Sequence, residues 1–328
     1  MSTILEVKNL RVEFMLRKRS IAAVEDISFK LQKGKTLGIV GESGCGKSVT
    51  AMSIMRLYNR QTARITKGEV ILDGRDIAKY SGRQMRDVCG KDISMIFQEP
   101  MTSLNPVYRI GYQMMEMVLA HSNMSRKEAY EYCVEMLDKV RIPEPRRRMN
   151  EFPHQFSGGM RQRVMIAMAL SCRPKILIAD EPTTALDVTV QAQILDLINE
   201  LKESMGASII MITHDMGVIA EVADDTLVMY AGKVVEYNDA DSIFAKPLHP
   251  YTQGLLQSIP HINKKVEMLP TIEGNVPMLG NMPKGCRFAD RCPYCMARCK
   301  EQDPPMIKHG GGEVRCFLYD SDAGADNE

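Results

Sequence analysis

Two patterns of apolar residues follow one another along the chain. Residues 5–14 and 22–30 are strand-like segments near the N-terminus. Three short apolar runs, at residues 175–180, 207–213 and 226–230, lie between helical patterns. Such runs suit strands that are buried on both faces of a parallel sheet. The pattern therefore predicts an α/β fold with an antiparallel β layer at the N-terminus.

The character of the sequence changes twice along the chain. A polar, helix-rich interval predicts a helical subdomain at about residues 99–170. After Leu248, prolines punctuate a loop-rich tail, in which the glycines at 310–312 are typical of a flexible segment. We therefore predict a main domain at residues 1–245 and a C-terminal extension at residues 246–328.

Composition excludes several classes of function. The 328 residues are 45% hydrophobic and carry a formal charge of +1, so the chain can bury a core but has no overall basic field for nucleic acid. No apolar run reaches the about 18 residues of a membrane helix, and the first residues lack the basic-then-apolar order of a signal peptide. These observations predict a cytosolic protein without a nucleic-acid partner.

The strongest local motif follows an apolar run at residues 37–40. It reads Gly41-Glu42-Ser43-Gly44-Cys45-Gly46-Lys47-Ser48 and fits the phosphate-loop pattern G-x-x-x-x-G-K-[ST]. Glycines let consecutive N–H groups point at phosphate oxygens, and the following helix adds the positive end of its dipole. Lys47 would reach the β and γ phosphates, and the Ser48 hydroxyl would bind Mg²⁺. The motif alone predicts nucleotide binding, and a glycine-rich turn that ends in Lys-Ser by chance is the alternative.

Two carboxylates end the apolar run at residues 176–179. Unpaired carboxylates are expensive to desolvate, so Asp180 and Glu181 are expected to have partners. Asp180 is predicted to hold the Mg²⁺ shell through water, and Glu181 to orient and polarise an attacking water. A helix N-cap with its dipole partner is the structural alternative. His214, which follows another apolar run, is by itself more typical of a packed or capping residue.

The segment Phe156-Ser157-Gly158-Gly159-Met160-Arg161-Gln162 resembles the L-S-G-G-Q signature of ABC transporter nucleotide-binding domains. The resemblance covers roughly residues 4–260 and includes the motifs above in the family's order. It implies an ABC-type P-loop ATPase in which Gln98 is the glutamine loop and a Mg²⁺ ligand, Asp187 lies in the D-loop and His214 is the switch histidine. Phe14 falls where the family stacks an aromatic ring on adenine. The implied catalytic residues are Glu181, His214 and Gln98. The implied ATP-binding residues are Phe14, Gly41, Ser43, Gly44, Cys45, Gly46, Lys47, Ser48, Val49, Gln98, Ser157, Gly158, Gly159, Asp180 and Asp187.

The same resemblance implies partners. Ser157 would begin an exposed helix whose N-terminus takes a phosphate, and in the family this helix faces the phosphate loop of a second, homologous ATPase subunit in a head-to-tail dimer. ATP binding would close the dimer, and hydrolysis would reopen it. Two membrane permease subunits docked near residues 99–117 would follow this motion. An extracytoplasmic substrate-binding protein would take part indirectly, and the chain would lie peripherally on the cytoplasmic face of the cell membrane.

Further stretches of the sequence indicate which solute is transported. Residues 95–106, residues 156–163 and the run His249-Pro250-Tyr251-Thr252 look like the ABC subgroup that imports di- and oligopeptides. Residues 274–277, 285–288 and 291–293 are similar to the C-terminal extension of that subgroup. The resemblance thus implies an ATPase that powers peptide import, while nickel, glutathione and other solute importers share parts of the pattern and stay open as alternatives.

Two other classes of function fit the sequence less well. A soluble ABC ATPase that acts on nucleic acid or ribosomes would usually carry two such domains, long coiled coils or strongly basic segments. A non-hydrolysing regulatory subunit would not need the complete set of Lys47, Gln98, Glu181 and His214 that this chain has.

Five of the nine cysteines crowd into residues 286–316. A cytosolic compartment opposes disulfides, and a metal can organise a loop-rich tail that packing alone cannot. The cysteine spacing is compatible with free thiols, with a Cys₄ zinc site and with an iron–sulfur cluster. The single C-x₂-C pair, Cys292 and Cys295, favours iron over zinc. The peptide-importer extension has cysteines that match Cys286, Cys292, Cys299 and Cys316, which implies a [4Fe–4S] cluster with Cys295 as the spare.

Overall fold

The computed structural model describes residues 2–17, 19–59, 61–98, 103–184, 186–259 and 271–320. Two compact units make up the chain. The first comprises Met1–Leu31, Thr36–Lys79 and Ile212–Glu328, and the second comprises Gln32–Lys35 and Tyr80–Met211. The N-terminal and C-terminal segments therefore belong to the same unit.

The described residues form both strands and helices. The strands are β1 (Thr3–Met15), β2 (Ser20–Gln32), β3 (Thr36–Val40), β4 (Ala63–Leu72), β5 (Arg75–Asp76), β6 (Ile93–Ile96), β7 (Ile176–Asp180), β8 (Ser208–Thr213), β9 (Asp225–Tyr230), β10 (Lys233–Asp239), β11 (Ile307–His309) and β12 (Gly312–Val314). The α-helices are α1 (Lys47–Ile54), α2 (Gly82–Val88), α3 (Ile110–His121), α4 (Arg126–Lys139), α5 (Pro145–Arg148), α6 (Gly158–Leu170), α7 (Val188–Met205), α8 (Met216–Val222), α9 (Ala240–Ala245), α10 (Pro250–Gln257) and α11 (Ala297–Glu301). Short 3₁₀ helices lie at Ile77–Lys79, Pro153–Gln155, Ala289–Arg291 and Phe317–Tyr319.

The first unit contains an antiparallel β layer with the strand order β2-β1-β4-β5. In it β1 runs antiparallel to β4, from the pair Leu5 and Leu72 to the pair Phe14 and Ala63. A second group of strands in this unit has the order β11-β12-β10-β9-β3. There β3 is parallel to β9, whereas β9 is antiparallel to β10. The prediction of an antiparallel N-terminal layer is therefore confirmed, and the apolar run at residues 226–230 has parallel pairing on one side only.

The C-terminal tail adds two strands to the second group of the first unit. β12 pairs with β10 and with β11, and the turn between β11 and β12 contains Gly310 and Gly311 with φ of +58° and +88°. The expectation of a flexible segment at residues 310–312 is therefore wrong. A run of glycines suits a tight turn as well as a flexible loop. The pairing of β12 with β10, whose residues lie 76 and 78 positions earlier, leaves no local trace in the sequence.

The second unit has a small sheet with the order β8-β7-β6, of which β8 carries its last two residues in the first unit. Each residue of β6 and β7 is buried, as expected of strands covered on both faces, and the two strands run parallel. Helices α3 to α6 occupy most of residues 110–170.

Helix α7 shows how the sequence forms a helix of the second unit. Ile194, Leu197, Ile198 and Leu201 follow the 3, 4 and 7 spacing of one helix face and are all buried. The helix ends at Gly206, whose φ of +65° is a left-handed cap that favours glycine. In the part of the chain that the structure describes, no helix is long and apolar enough to cross a membrane.

Candidate nucleotide site

The predicted phosphate loop connects β3 to α1 in the first unit. Gly41 has φ of +150°, and Gly46, the N-cap of α1, has φ of +103°. A Cβ on Gly41 would lie 2.2 Å from the carbonyl oxygen of Met229 in β9, so a larger residue would displace backbone. Gly44 also has a positive φ, of +78°, but an added Cβ there meets no atom within 4 Å. The loop thus needs glycine at Gly41 for space and for backbone conformation, and at Gly44 for conformation alone.

Lys47 lies inside the curve of this loop. Its side chain is buried, and its Nζ donates hydrogen bonds to the carbonyl oxygens of Gly41 at 2.6 Å and Glu42 at 3.2 Å. Cys45 is a buried residue of the loop, and burial raises the pKa of its thiol, so Cys45 is a neutral packing residue. Ser43 is exposed, whereas Ser48 is half-buried at the start of α1. The loop therefore brings an ammonium group and a helix N-terminus to one place, which suits an anion.

Two further predicted residues belong to the first unit. Phe14 lies opposite Ala63 at the end of β1, with its ring 5.6 Å from that of Tyr58 in an edge-on arrangement. Phe14 is only half-buried, which leaves part of the ring accessible to a ligand. His214 is exposed directly after β8, and the next residue, Asp215, caps α8.

The second unit brings Gln98 and Glu181 into contact. Gln98 Nε2 donates to Glu181 Oε2 at 3.0 Å, although the two residues are 83 positions apart in sequence. They meet because Gln98 follows β6 and Glu181 follows β7, and these strands run parallel with Ile96 opposite Ala179. Glu181 has φ of +45°, and its Oε2 accepts a second hydrogen bond, at 2.8 Å, from Thr184 Oγ1. The carboxylate is thus oriented by two donors at the carboxyl ends of adjacent strands.

The remaining predicted residues of the second unit lie at strand and helix ends. Asp180 is buried at the end of β7. Ser157 is the N-cap of α6, and its hydroxyl accepts from the Met160 N–H at 3.3 Å. Ser157 and Gly158 are exposed, so the N-terminus of this helix is accessible. Asp187 caps α7 in the same way, through the Val190 N–H at 2.9 Å, and is also exposed.

Known proteins resemble the chain over nearly its whole length. It is 50% identical to the oligopeptide transport ATP-binding protein AppD of Bacillus subtilis, with 98% of each chain covered. The chain belongs to the ABC transporter family. The family described as "ABC transporter" matches residues 24–184, and the one described as "Oligopeptide/dipeptide transporter, C-terminal region" matches residues 235–299. The oligopeptide transport ATP-binding protein OppD of Escherichia coli is 52% identical, over 96% of this chain and 93% of that protein.

The fold of this ABC protein is also found in solved structures. The ATP-binding cassette MJ0796, in a dimeric post-hydrolysis state bound to ADP and Pi, is 27% identical and has a TM-score of 0.64. The match covers 72% of this chain and 98% of that one. The predicted ABC-type ATPase core with mixed α/β sheets is therefore confirmed, and so is the relationship to the peptide-transporter ATPases.

The C-terminal region of the ABC protein gathers the predicted cysteine ligands. Cys286, Cys292, Cys299 and Cys316 all interact electrostatically with one another, and Cys295 interacts with Cys292 and Cys299. Burial, together with the neighbouring thiols, raises the pKa of Cys286 to about 12 and that of Cys316 to about 11. The Cys286 N–H donates to the Cys299 carbonyl oxygen at 2.8 Å, which joins two of the cysteine-bearing turns.

The expected metal-binding extension is not supported at this point. Among the described residues, which include all five cysteines of the extension, no three His, Cys, Asp or Glu side chains are placed to hold a metal ion. A zinc ion would require sulfurs at about 2.3 Å around one centre. The four thiols are therefore neighbours without converging on one ion.

Three side chains that contact the candidate site were not predicted from sequence. Thr184 bonds to Glu181 and lies only three residues after it, so a turn pattern could have indicated it. Tyr251 accepts a hydrogen bond from the Glu42 N–H in the phosphate loop, and Arg291 donates to the Glu42 carboxylate. No local pattern indicates the pair of Arg291 and Glu42, because 249 positions separate them.

Proposed function

We propose that this ABC ATPase hydrolyses ATP to power the import of di- and oligopeptides across the cytoplasmic membrane. The observation that carries the proposal is the identity of about half of all residues to peptide-transport ATP-binding proteins over nearly the full chain. The match includes a C-terminal region described for oligopeptide and dipeptide transporters, which the general ABC core does not require.

The phosphate loop would bind the triphosphate of ATP. Its backbone N–H groups and the N-terminus of α1 would face the phosphate oxygens. Lys47 would give up its hydrogen bonds to the loop carbonyl oxygens and bind the β and γ phosphates instead. Mg²⁺ keeps several waters and takes few protein oxygens besides phosphate, so the Ser48 hydroxyl and the Gln98 amide oxygen are suitable ligands, with Asp180 acting through water. The Val49 N–H would meet the α-phosphate, and Phe14 would stack on adenine.

Glu181 would activate the attacking water. The water oxygen forms a bond to the γ-phosphorus while a proton passes to the Glu181 carboxylate, and the bond to the ADP oxygen breaks. The hydrogen bonds from Gln98 and Thr184 orient the Glu181 carboxylate. His214 would stabilise the charge that develops on the γ-phosphate.

The accessible N-terminus of α6 suits a nucleotide held by another subunit. Ser157, Gly158 and Gly159 would contact the phosphates of an ATP bound to a second, homologous ATPase subunit in a head-to-tail dimer, with Asp187 at the same interface. Two permease subunits would dock near residues 99–117 of the helical subdomain, on the cytoplasmic face of the membrane, and an extracytoplasmic binding protein would deliver the cargo. Residues 1–245 would carry the ATPase and residues 246–328 the extension.

Two substitutions test the ATPase assignment in the full chain. Glu181→Gln keeps an oxygen that can accept from Gln98 and Thr184 but loses the base, so ATP binding should persist while turnover falls by about 10² to 10⁴. Lys47→Ala should weaken ATP binding itself, because the phosphates lose their main cation. Mg-ATP affinity and phosphate release are measured separately; near-normal turnover of Glu181→Gln would remove Glu181 from the catalytic role.

The cargo is tested by uptake in the source cell. A strain that lacks this chain should fail to grow on peptides as amino-acid source and should grow on free amino acids. Complementation with the wild-type gene, but not with the Glu181→Gln variant, should restore growth. Persistent peptide uptake together with loss of nickel or glutathione uptake would assign the ATPase to one of those importers instead.

We also propose that Cys286, Cys292, Cys299 and Cys316 hold a [4Fe–4S] cluster. Support comes from the mutual proximity of these thiols and from the Cys₄ donor set, which is the set that such clusters take. A cluster would bind four separated sulfurs at once and so cross-link the turns of the extension, which is a structural role. Cys295 stays a spare thiol.

Anaerobic purification of the full chain tests the cluster. The protein should be brown and contain iron and acid-labile sulfide in equal amounts. Cys286→Ser should remove the colour, whereas the matched control Cys295→Ser should keep it. Colourless protein with one zinc per chain would replace the cluster by a zinc site and would leave the ATPase assignment untouched.

A further inference from the structure

The second residue of the phosphate loop is held by side chains of the C-terminal region. The Glu42 N–H donates to Tyr251 Oη at 2.9 Å. Arg291 Nη1 donates to both oxygens of the Glu42 carboxylate, at 3.1 and 3.0 Å. Glu42 lies between Gly41 and Ser43, so both contacts act within the loop that is proposed to bind the ATP phosphates. All three residues belong to the first unit.

Arg291 is not a mobile surface cation. Its side chain is only 6% exposed, which sets it apart from the exposed ion pairs that contribute little. Its other N–H groups donate to the backbone carbonyls of Glu273 at 2.9 Å and Ile272 at 3.0 Å. The guanidinium also lies over the rings of Tyr230 and Phe288, 5.7 and 6.0 Å from their centroids. Arg291 therefore presents a fixed donor to Glu42.

Tyr251 is fixed as firmly as Arg291. It is fully buried in α10, with its ring 4.7 Å from that of Tyr230 and 5.4 Å from that of Phe288. The start of α10 is anchored by the buried Glu236, whose carboxylate accepts from the N–H groups of Leu248 and His249 at 2.7 and 2.9 Å. The phenol oxygen that meets the loop is thus part of a rigid assembly.

We propose that Arg291 and Tyr251 are positioning residues of the phosphate loop, through which the C-terminal region sets the affinity for ATP. The inference rests on the proposed ATP site. A loop that binds phosphate through backbone N–H groups must keep them convergent, and ordering a loose loop residue on binding costs conformational entropy. Arg291 and Tyr251 hold Glu42 before the nucleotide arrives, so that this entropy is already lost in the free protein.

The contact is tested with Arg291→Gln and Glu42→Gln in the full chain, using Mg-ATP as the probe. Each variant should raise the Kd for Mg-ATP about tenfold, within the range usual for coupled sites, and leave kcat at saturating ATP within about twofold. The double variant should also show about a tenfold effect, rather than the hundredfold of independent sites. Tyr251→Phe, which removes the acceptor for the Glu42 N–H, should shift the Kd in the same direction.

The matched control is Arg298→Gln. Arg298 lies in the same region and precedes Cys299, just as Arg291 precedes Cys292. It pairs with Asp320, and its guanidinium lies over the ring of Phe317. None of these contacts involves the phosphate loop. Its loss should leave the Kd for Mg-ATP unchanged. Should Arg291→Gln fail to fold, Glu42→Gln weakens the same contact from the loop side, because it removes the negative charge and one of the two oxygens that accept from Arg291.

Two results would overturn the inference. One is an equal effect of Arg291→Gln and Arg298→Gln on the Kd, which would reduce Arg291 to a stabiliser of the extension. The other is additivity of the Arg291 and Glu42 variants. The Lys47→Ala variant tests the proposed ATP site separately. This variant should lose ATP binding if the phosphate loop is the ATP site, and should keep it if ATP binds elsewhere.

Discussion

The substitutions Gly41→Ala and Gly44→Ala should distinguish two ways of destabilising the fold, namely a steric clash of the new Cβ and an unfavourable backbone conformation. In Gly41→Ala the new Cβ would lie 2.2 Å from the Met229 carbonyl oxygen and 2.7 Å from Cys45 Sγ. The carbonyl belongs to β9, which is paired with β3 and β10 and cannot move alone. In the matched change Gly44→Ala, in the same loop, the new Cβ meets nothing within 4 Å.

The magnitudes follow from these distances. Gly44→Ala carries only the cost of a left-handed backbone for an L-residue, about 1–2 kcal/mol. Gly41→Ala combines a strained backbone, about 1–3 kcal/mol, with overpacking against backbone atoms, about 1–3 kcal/mol. Since each kcal/mol lowers the Tm of a large domain by about 2 °C or more, Gly41→Ala should lower the Tm further than Gly44→Ala, by a factor of about two at the centres of these ranges.

Thermal unfolding of the full chain, followed by circular dichroism, measures both variants against the wild type. Midpoints at one protein concentration and without nucleotide are compared, because ligand binding would add its own stabilisation. Equal midpoints for the two variants would show that the β9 backbone yields to the Gly41 Cβ at little cost, and the steric reasoning would then be wrong.

Three further predictions concern stability, each read from unfolding midpoints. Burial lowers the pKa of His249 to about 3, whereas in the unfolded chain its imidazole keeps the ordinary pKa of about 6.5. Between these two pKa values the unfolded chain binds one proton more than the folded chain. Stability should therefore fall by about 1.4 kcal/mol per pH unit from pH 6 to pH 4, and His249→Asn, which keeps a capping acceptor, should flatten this slope; an unchanged slope would contradict it. Arg141→Gln should change stability by less than about 1 kcal/mol, because Arg141 and its partner Glu200 are 54% and 57% exposed, and a larger loss would show a buried role. Ser125→Ala should cost about 1 kcal/mol, since it removes the hydroxyl that caps α4, and no loss would mean that the cap contributes nothing.

The chemistry of single segments was determined by the sequence alone. The order of Gly41, Gly46 and Lys47 after an apolar run predicts a phosphate loop, because an anion site built from consecutive N–H groups needs only neighbouring residues. Ser157 before two glycines predicts a capped and accessible helix N-terminus, for the same reason of locality. Burial on both faces of β7 follows from its apolar run at residues 176–179.

Contacts between distant segments were decided only by the tertiary structure. Gln98 meets Glu181 because β6 and β7 pair in one register, and a shift of that register would separate them. Gly310 and Gly311 form a hairpin turn between β11 and β12, and β12 also pairs with the distant β10. Cysteine spacing leaves the arrangement of the thiols open, since it does not specify how loop turns pack. Arg291 reaches Glu42 because the buried rings of Tyr230 and Phe288 place it there, and packing of that kind depends on the whole unit rather than on any pattern of neighbouring residues.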